Sequence, residues 1–162
     1  MTNIIIPTDF NAASFQLAEQ ALQALEGRSV NIILFHAFEL PTSEFDLLMS
    51  GRKKPYQDLL TESFRQSCKQ LKDQYPKTVQ KICFKFMDGS SAALFRNFVD
   101  ANEVDLIICP EHYRFIPAHK LSVDPRPLFK KSGITVIQEL NQRKKIPSEN
   151  REMFAPAFNV AS

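Results

Sequence analysis

Apolar residues along this chain fall into short continuous runs, separated by longer stretches in which they recur every three or four positions. Over residues 3–7, Ile4, Ile5 and Ile6 are adjacent, as in a strand covered on both faces. Asn11 is placed to cap a helix whose apolar positions, Phe15, Ala18, Leu22 and Leu25, step by three and four until Gly27 offers a left-handed stop. Residues 30–38, VNIILFHAF, make a second buried run. A polar stretch punctuated by proline follows over 39–55, longer than an ordinary connection and of the kind that is often functional or mobile. The helical period then resumes with Leu60, Phe64, Cys68, Leu71 and Tyr75 on one stripe, and Pro76 marks its end.

Residues 79–87 follow a different period. Ile82, Phe84 and Phe86 alternate with Lys81, Cys83 and Lys85, which predicts a strand at the edge of a sheet. Asp88-Gly89-Ser90 turns into a helix capped by Ser90 or Ser91, with Leu94, Phe95, Phe98 and Val99 as its buried face. A fourth run spans 105–109, a loop spans 110–123, a short helix with proline in its first turn spans 125–131, and a fifth strand spans 134–138. The alternation β-α-β-α-β-α-β-α-β predicts an α/β fold, a parallel sheet with helices on both faces. From residue 141 the composition shifts: NQRKKIPSEN is polar, and MFAPAFNVAS is apolar but broken by Pro156. The chain therefore divides into one domain over 1–140 and a tail over 141–162. That tail is either disordered or docked through Met153, Phe154, Phe158 and Val160 on another surface, such as a partner subunit.

Composition narrows the class. With 162 residues, 44% of them hydrophobic, the chain can bury a full core without disulfides or metal staples, which excludes disordered and collagen-like readings. A net charge of +2 is too mild to imply nucleic acid, and no basic strand carries the interleaved aromatics of a single-strand binder. The N-terminus lacks a basic region and reaches Pro7 and Asp9 too early for a signal peptide. No apolar run approaches the roughly 20 residues that span a bilayer, so neither membrane nor nucleic acid is an expected partner. Cys68, Cys83 and Cys109 form no CxxC pair, which fits buried thiols in a reducing cytoplasm.

In a parallel sheet, ligands sit outside the carboxyl ends of the strands. The first such end is Pro7-Thr8-Asp9. There the Asp9 carboxylate could accept hydrogen bonds from a ribose or an adenine amino group, or could support the turn into the next helix. The second is His36-Ala37, where the Ala37 backbone could meet a base edge and His36 reads as a hydrogen-bonded core or rim histidine. The loop after the fourth strand adds Cys109, Pro110, His112 and Arg114 to the candidate pocket. From Arg114 to Lys145 there are eight basic residues against two acidic ones, a field that could attract phosphates or an acidic partner. The spacing of Cys109, Glu111, His112 and His119 matches no closed zinc pattern. No P-loop, Gly-x-Gly-x-x-Gly or Gly-x-Ser-x-Gly is present, so no catalytic residue or metal site is assigned.

Residues 3–10, NIIIPTDF, the helix containing Ala18, Ala21 and Leu22, and residues 30–39, VNIILFHAFE, resemble the opening of universal stress proteins. Residues 89–108, ending in Val104-Asp105-Leu106-Ile107-Ile108, are similar to their third helix and fourth strand. The resemblance spans residues 3–140. It implies a three-layer Rossmann-like or flavodoxin-like fold with a five-stranded sheet in the order 3-2-1-4-5, and a homodimer through strand 134–138. The apolar run Ile134-Thr135-Val136-Ile137 would otherwise be an uncovered edge. The nucleotide-binding branch of that family carries Gly-x2-Gly-x9-Gly-Ser/Thr after the fourth strand. Those positions fall here on Pro110, Tyr113, Val123 and Asp124. Pro110 has no N–H, Tyr113 and Val123 resist the left-handed geometry, and Asp124 repels a triphosphate. The resemblance therefore implies a stress-response binding or signalling protein that is not an enzyme, has no cofactor and does not bind ATP in the usual way. The alternative is a nucleotide-binding (ATP or AMP) or other anion-binding protein with an altered pocket and at most weak hydrolase activity. A third reading is a structural partner for another protein, regulated through the 39–55 loop and the tail.

Overall fold

The computed structural model describes residues 2–39 and 59–140, together with the backbone of 158–161. Stretch 39–55 lies outside the described residues from position 40 onward, as does most of the tail. In chain order the elements are β1 (Thr2–Pro7), α1 (Ala12–Ala24), β2 (Val30–Phe38), α2 (Glu62–Gln74), β3 (Val79–Asp88), α3 (Ala92–Ala101) and β4 (Leu106–Ile108). They continue with β5 (Ser122–Val123), α4 (Arg126–Lys130), β6 (Val136–Leu140) and β7 (Phe158–Ala161). Each of the first three helices begins where a short polar side chain meets a free N–H. Asn11, Thr61 and Ser91 accept from Ser14, Phe64 and Leu94. Gly27 sits at φ 91 after α1, in the left-handed region expected of a helix stop.

The sheet runs β3-β2-β1-β4-β6-β7, parallel as far as β6. This is the three-layer α/β arrangement that the sequence predicts, with β6 in the place of the expected fifth strand. Its bounds differ from the predicted 134–138 because Gly133 at φ 79 and a turn closed by Ser132 Oγ occupy the approach, so pairing with β4 starts at Val136. Two strands were not expected. β5 pairs antiparallel with β2 at Ala37 and Phe38. β7 pairs antiparallel with β6 and so places part of the tail on its own chain. β3 is the outermost strand at the other end, as its alternation predicts. Lys81 is exposed there, and the Lys85 ammonium donates to Asn102 Oδ1.

Alternation along β2 divides the core between the two faces. Phe35 meets Phe95 and Phe98 of α3 at 5.2 and 5.0 Å and Phe129 of α4 at 6.1 Å. His36 points the other way, toward Phe10, which in turn touches Phe64 of α2 and Phe84 of β3. The apolar runs Ile4-Ile5-Ile6 and Ile107-Ile108 are fully buried between these layers, which is why they read as continuous. No described helix is long and apolar enough to cross a membrane.

Phe35 is wholly buried among three other rings. Phe35→Ala is expected to lower the unfolding free energy by about 3–5 kcal/mol in urea titration. A loss below about 1 kcal/mol would contradict this packing.

Candidate functional site

The carboxyl end of β1 is held by a bond from Thr8 N–H to Phe35 O at 2.9 Å, and the chain then turns sharply. Phe10 takes φ 64, a left-handed conformation that an aromatic residue rarely adopts, and its N–H donates to Thr8 Oγ1. The turn leaves Asp9 only 5% exposed, with its N–H donating to Ser14 Oγ at 2.8 Å.

Donors from the far loop satisfy the Asp9 carboxylate. Tyr113 O–H donates to Oδ2 at 2.8 Å and Ile116 N–H donates to the same oxygen at 3.1 Å. Burial pushes the Asp9 pKa up, against the lowering effect of those two bonds and of nearby His36. Burial and the adjacent carboxylate also push the Tyr113 hydroxyl up, so it remains a donor.

His36 links the same loop to the sheet. Its Nδ1 lies 2.6 Å from Thr8 O, and a carbonyl can only accept, so Nδ1 carries the hydrogen. Nε2 then accepts from Ser122 O–H at 2.7 Å, and Ser122 Oγ in turn accepts from His119 N–H at 3.0 Å. Burial lowers the His36 pKa despite the bond to Thr8 and the nearby Asp9. The 3.9 Å approach of His36 Nδ1 to Asp9 Oδ1 is thus a neutral imidazole beside a carboxyl group rather than a formed ion pair.

β5 completes the closure. β2 pairs with β3 along its whole length and with β1 only as far as Phe35, so β5 lies beside β2 where β1 has ended. Each position that would carry a phosphate-loop glycine or hydroxyl has a bonded role. Pro110 O accepts from Tyr113 N–H, the Tyr113 hydroxyl holds Asp9, and Val123 pairs with Ala37. Asp124 binds Arg126, which also donates to Tyr113 O. Burial works against the charge of Asp124, but the Arg126 bonds hold its pKa below the usual carboxylate value.

Among the residues singled out from sequence, Asp9, Pro110, His112 and Arg114 line one cavity of about 380 Å³ against α1, together with Asn11 and Gln20. Pro7, Thr8, Ala37 and Cys109 do not line it. The Thr8 carbonyl is taken by His36, and the Ala37 backbone, expected to meet a base edge, pairs with Val123. Cys109 is buried, with its thiol pushed up to about 12, mainly by burial. It lines a larger cavity of about 800 Å³ with Arg126, Lys130 and Lys131, which shares Pro110 with the first. No cluster of three or more His, Cys, Asp or Glu able to hold a metal occurs among the described residues. Sequence reasoning missed the partnership of Tyr113 with Asp9 and of Ser122 with His36. The only trace of either was a tyrosine at a position where the resemblance calls for glycine.

Two measurements probe this network. Tyr113→Phe is expected to cost about 1–3 kcal/mol in chemical unfolding, because it removes a donor from a buried carboxylate. An unchanged midpoint would contradict the bond. Because His36 binds its proton less tightly folded than unfolded, stability falls as pH drops below the ordinary value of 6.5, while the raised Asp9 pKa acts in the opposite sense as pH falls toward 3.8. Wild type is therefore expected to lose more stability than His36→Phe between about pH 7.5 and about pH 5, across the ordinary histidine range. Parallel curves for the two proteins would rule out this assignment.

A profile of the universal stress protein family matches residues 1–116. Among solved structures, the chain is similar to universal stress protein UspA from Lactobacillus plantarum, with 15% identity, 85% of this chain and 96% of that chain covered, and a TM-score of 0.55. The hypothetical protein PH0823 shares 16% identity over 83% of this chain and 92% of its own, at a TM-score of 0.55. The hypothetical protein MJ0577 shares 20% identity over the same shares of the two chains, at 0.51. No curated protein matches.

Proposed function

Because the chain belongs to the universal stress protein family, we propose that it is a stress-response binding and signalling module whose nucleotide crevice is filled by its own loop over residues 110–123. It does not bind ATP in the usual way, and it acts through its surfaces rather than by catalysis. One observation carries this reading: the Asp9 carboxylate, the group best placed to meet a ribose or an adenine amino group, is already bonded to Tyr113 and Ile116 and removed from solvent. The β5 pairing supports the same reading, since the Ala37 backbone has no open edge. For a nucleotide to enter, both sets of bonds must break. Each bond to a charged group contributes about 1.5–3 kcal/mol, so two such losses weaken binding by several orders of magnitude.

The cavity of about 380 Å³ beside Asp9 supports a second reading. His112 and Arg114 could hold an anion there, such as the phosphate of AMP, without opening the crevice. Isothermal titration with ATP, AMP and inorganic phosphate separates the two. The first reading expects no heat of binding up to about 1 mM ligand, the weak limit for a specific site. Micromolar ATP binding that disappears in Asp9→Asn would overturn it. AMP or phosphate binding that survives Asp9→Asn but is lost in Arg114→Ala would establish the second.

A further inference from the structure

Ser122 Oγ and His36 Nε2 are 2.7 Å apart, the spacing of a nucleophile and its general base. Two strands build the pair: Ser122 opens β5, and His36 lies near the end of β2, where the two run side by side. Because Nδ1 gives its hydrogen to Thr8 O at 2.6 Å, Nε2 is the bare nitrogen, and the hydrogen between the two side chains belongs to Ser122. A bond that only tied the loop down could form with either tautomer. The Thr8 carbonyl selects the one in which imidazole draws a proton from the hydroxyl.

The surroundings favour that transfer. Asp9 Oδ1 stands 3.9 Å from Nδ1, beside the positive charge that His36 gains with the proton. Thr8 and Asp9 are thus positioning residues, acting on Ser122 through His36. His36 is 3% exposed, with the rings of Phe38 and Phe10 at 4.7 and 5.1 Å, so water competes little for Nε2. Ser122 itself is half-buried and keeps contact with solvent. His119 N–H donates to Ser122 Oγ at 3.0 Å, which favours negative charge on that oxygen as its proton leaves.

We propose that Ser122 is an acyl-acceptor site, activated by His36 and modified once per chain by an activated acyl donor, an ester or thioester with a good leaving group. Ser122 Oγ attacks the acyl carbon as its proton passes to His36 Nε2. The Oγ–C bond forms, the bond from the acyl carbon to the leaving oxygen or sulfur breaks, and the leaving group departs with the proton from Nε2, so His36 ends neutral. The donor must carry its own activation, because the His119 N–H is engaged with the nucleophile rather than with the acyl oxygen. An acylated Oγ has no hydrogen to give His36, so the modification also removes one of the bonds that hold the loop over 110–123 against β2. This goes beyond the binding reading and holds whether or not the crevice takes a nucleotide.

The full chain treated with 4-nitrophenyl acetate, folded and in urea, tests it, with acetylated residues mapped over time by peptide mass spectrometry. Ser122 is expected to be acetylated faster than any other serine of the folded chain. It should lose that lead in urea, which removes the geometry and leaves the sequence. Ser122→Ala should abolish this label, and His36→Gln, with folding checked by circular dichroism, should slow it by about 100-fold or more, the low end for a general base. An unlabelled Ser122, a Ser122 labelled as fast in urea as in the folded chain, or a folded His36→Gln chain labelled at the wild-type rate overturns the proposal. Should His36→Gln fail to fold, the comparison of folded and unfolded wild type decides.

Discussion

A carboxylate almost wholly removed from water must find donors, and Asp9 finds them on a loop more than a hundred residues further along the chain. That requirement organises the carboxyl ends of the strands. Holding Tyr113 and Ile116 against Asp9 fixes the path of the loop, which brings Ser122 to His36 and lets Val123 pair with Ala37. Among described residues no buried side-chain nitrogen or oxygen lacks a partner, so the closed arrangement is satisfied rather than waiting for a ligand.

The closure includes a strained position. Phe10 in the left-handed region costs about 1–3 kcal/mol. Its ring lies 5.1 Å from each of His36, Phe64 and Phe84, and aromatic pairs contribute about 0.5–1.5 kcal/mol apiece beyond their buried area. The contacts offset the strain, and the turn they hold aims Asp9 at the loop. A side chain on α2 thereby helps to set a conformation at the end of β1.

Much of the fold was legible in the sequence because burial on both faces writes itself as continuous apolar runs. Ile4-Ile5-Ile6, the 30–38 run and the alternation at 79–87 each mark a strand correctly, the last also marking its place at the rim. β5 was not legible, because two residues carry no period and their pairing depends on the Asp9 and His36 bonds that bring the loop home. β7 sits in an apolar stretch too short and too interrupted by Pro156 to carry a strand period, and its place is set by pairing with the outer flank of β6. In the site, the sequence singled out Asp9 and the missing glycines, on which the proposed loss of a phosphate cradle rests. That Tyr113 donates to Asp9 is a contact between residues 104 positions apart, and no local pattern encodes it.

The two rims of the sheet are guarded by different means. At β3 the guard is charge: Lys81 stands in solvent, and Lys85 is tied to Asn102 at the end of α3. At the opposite rim the guard is β7, whose backbone takes up the outer pairing of β6. One flank is thus protected by the composition of its own strand and the other by backbone from the far end of the sequence, so a change of side-chain charge would weaken only the first.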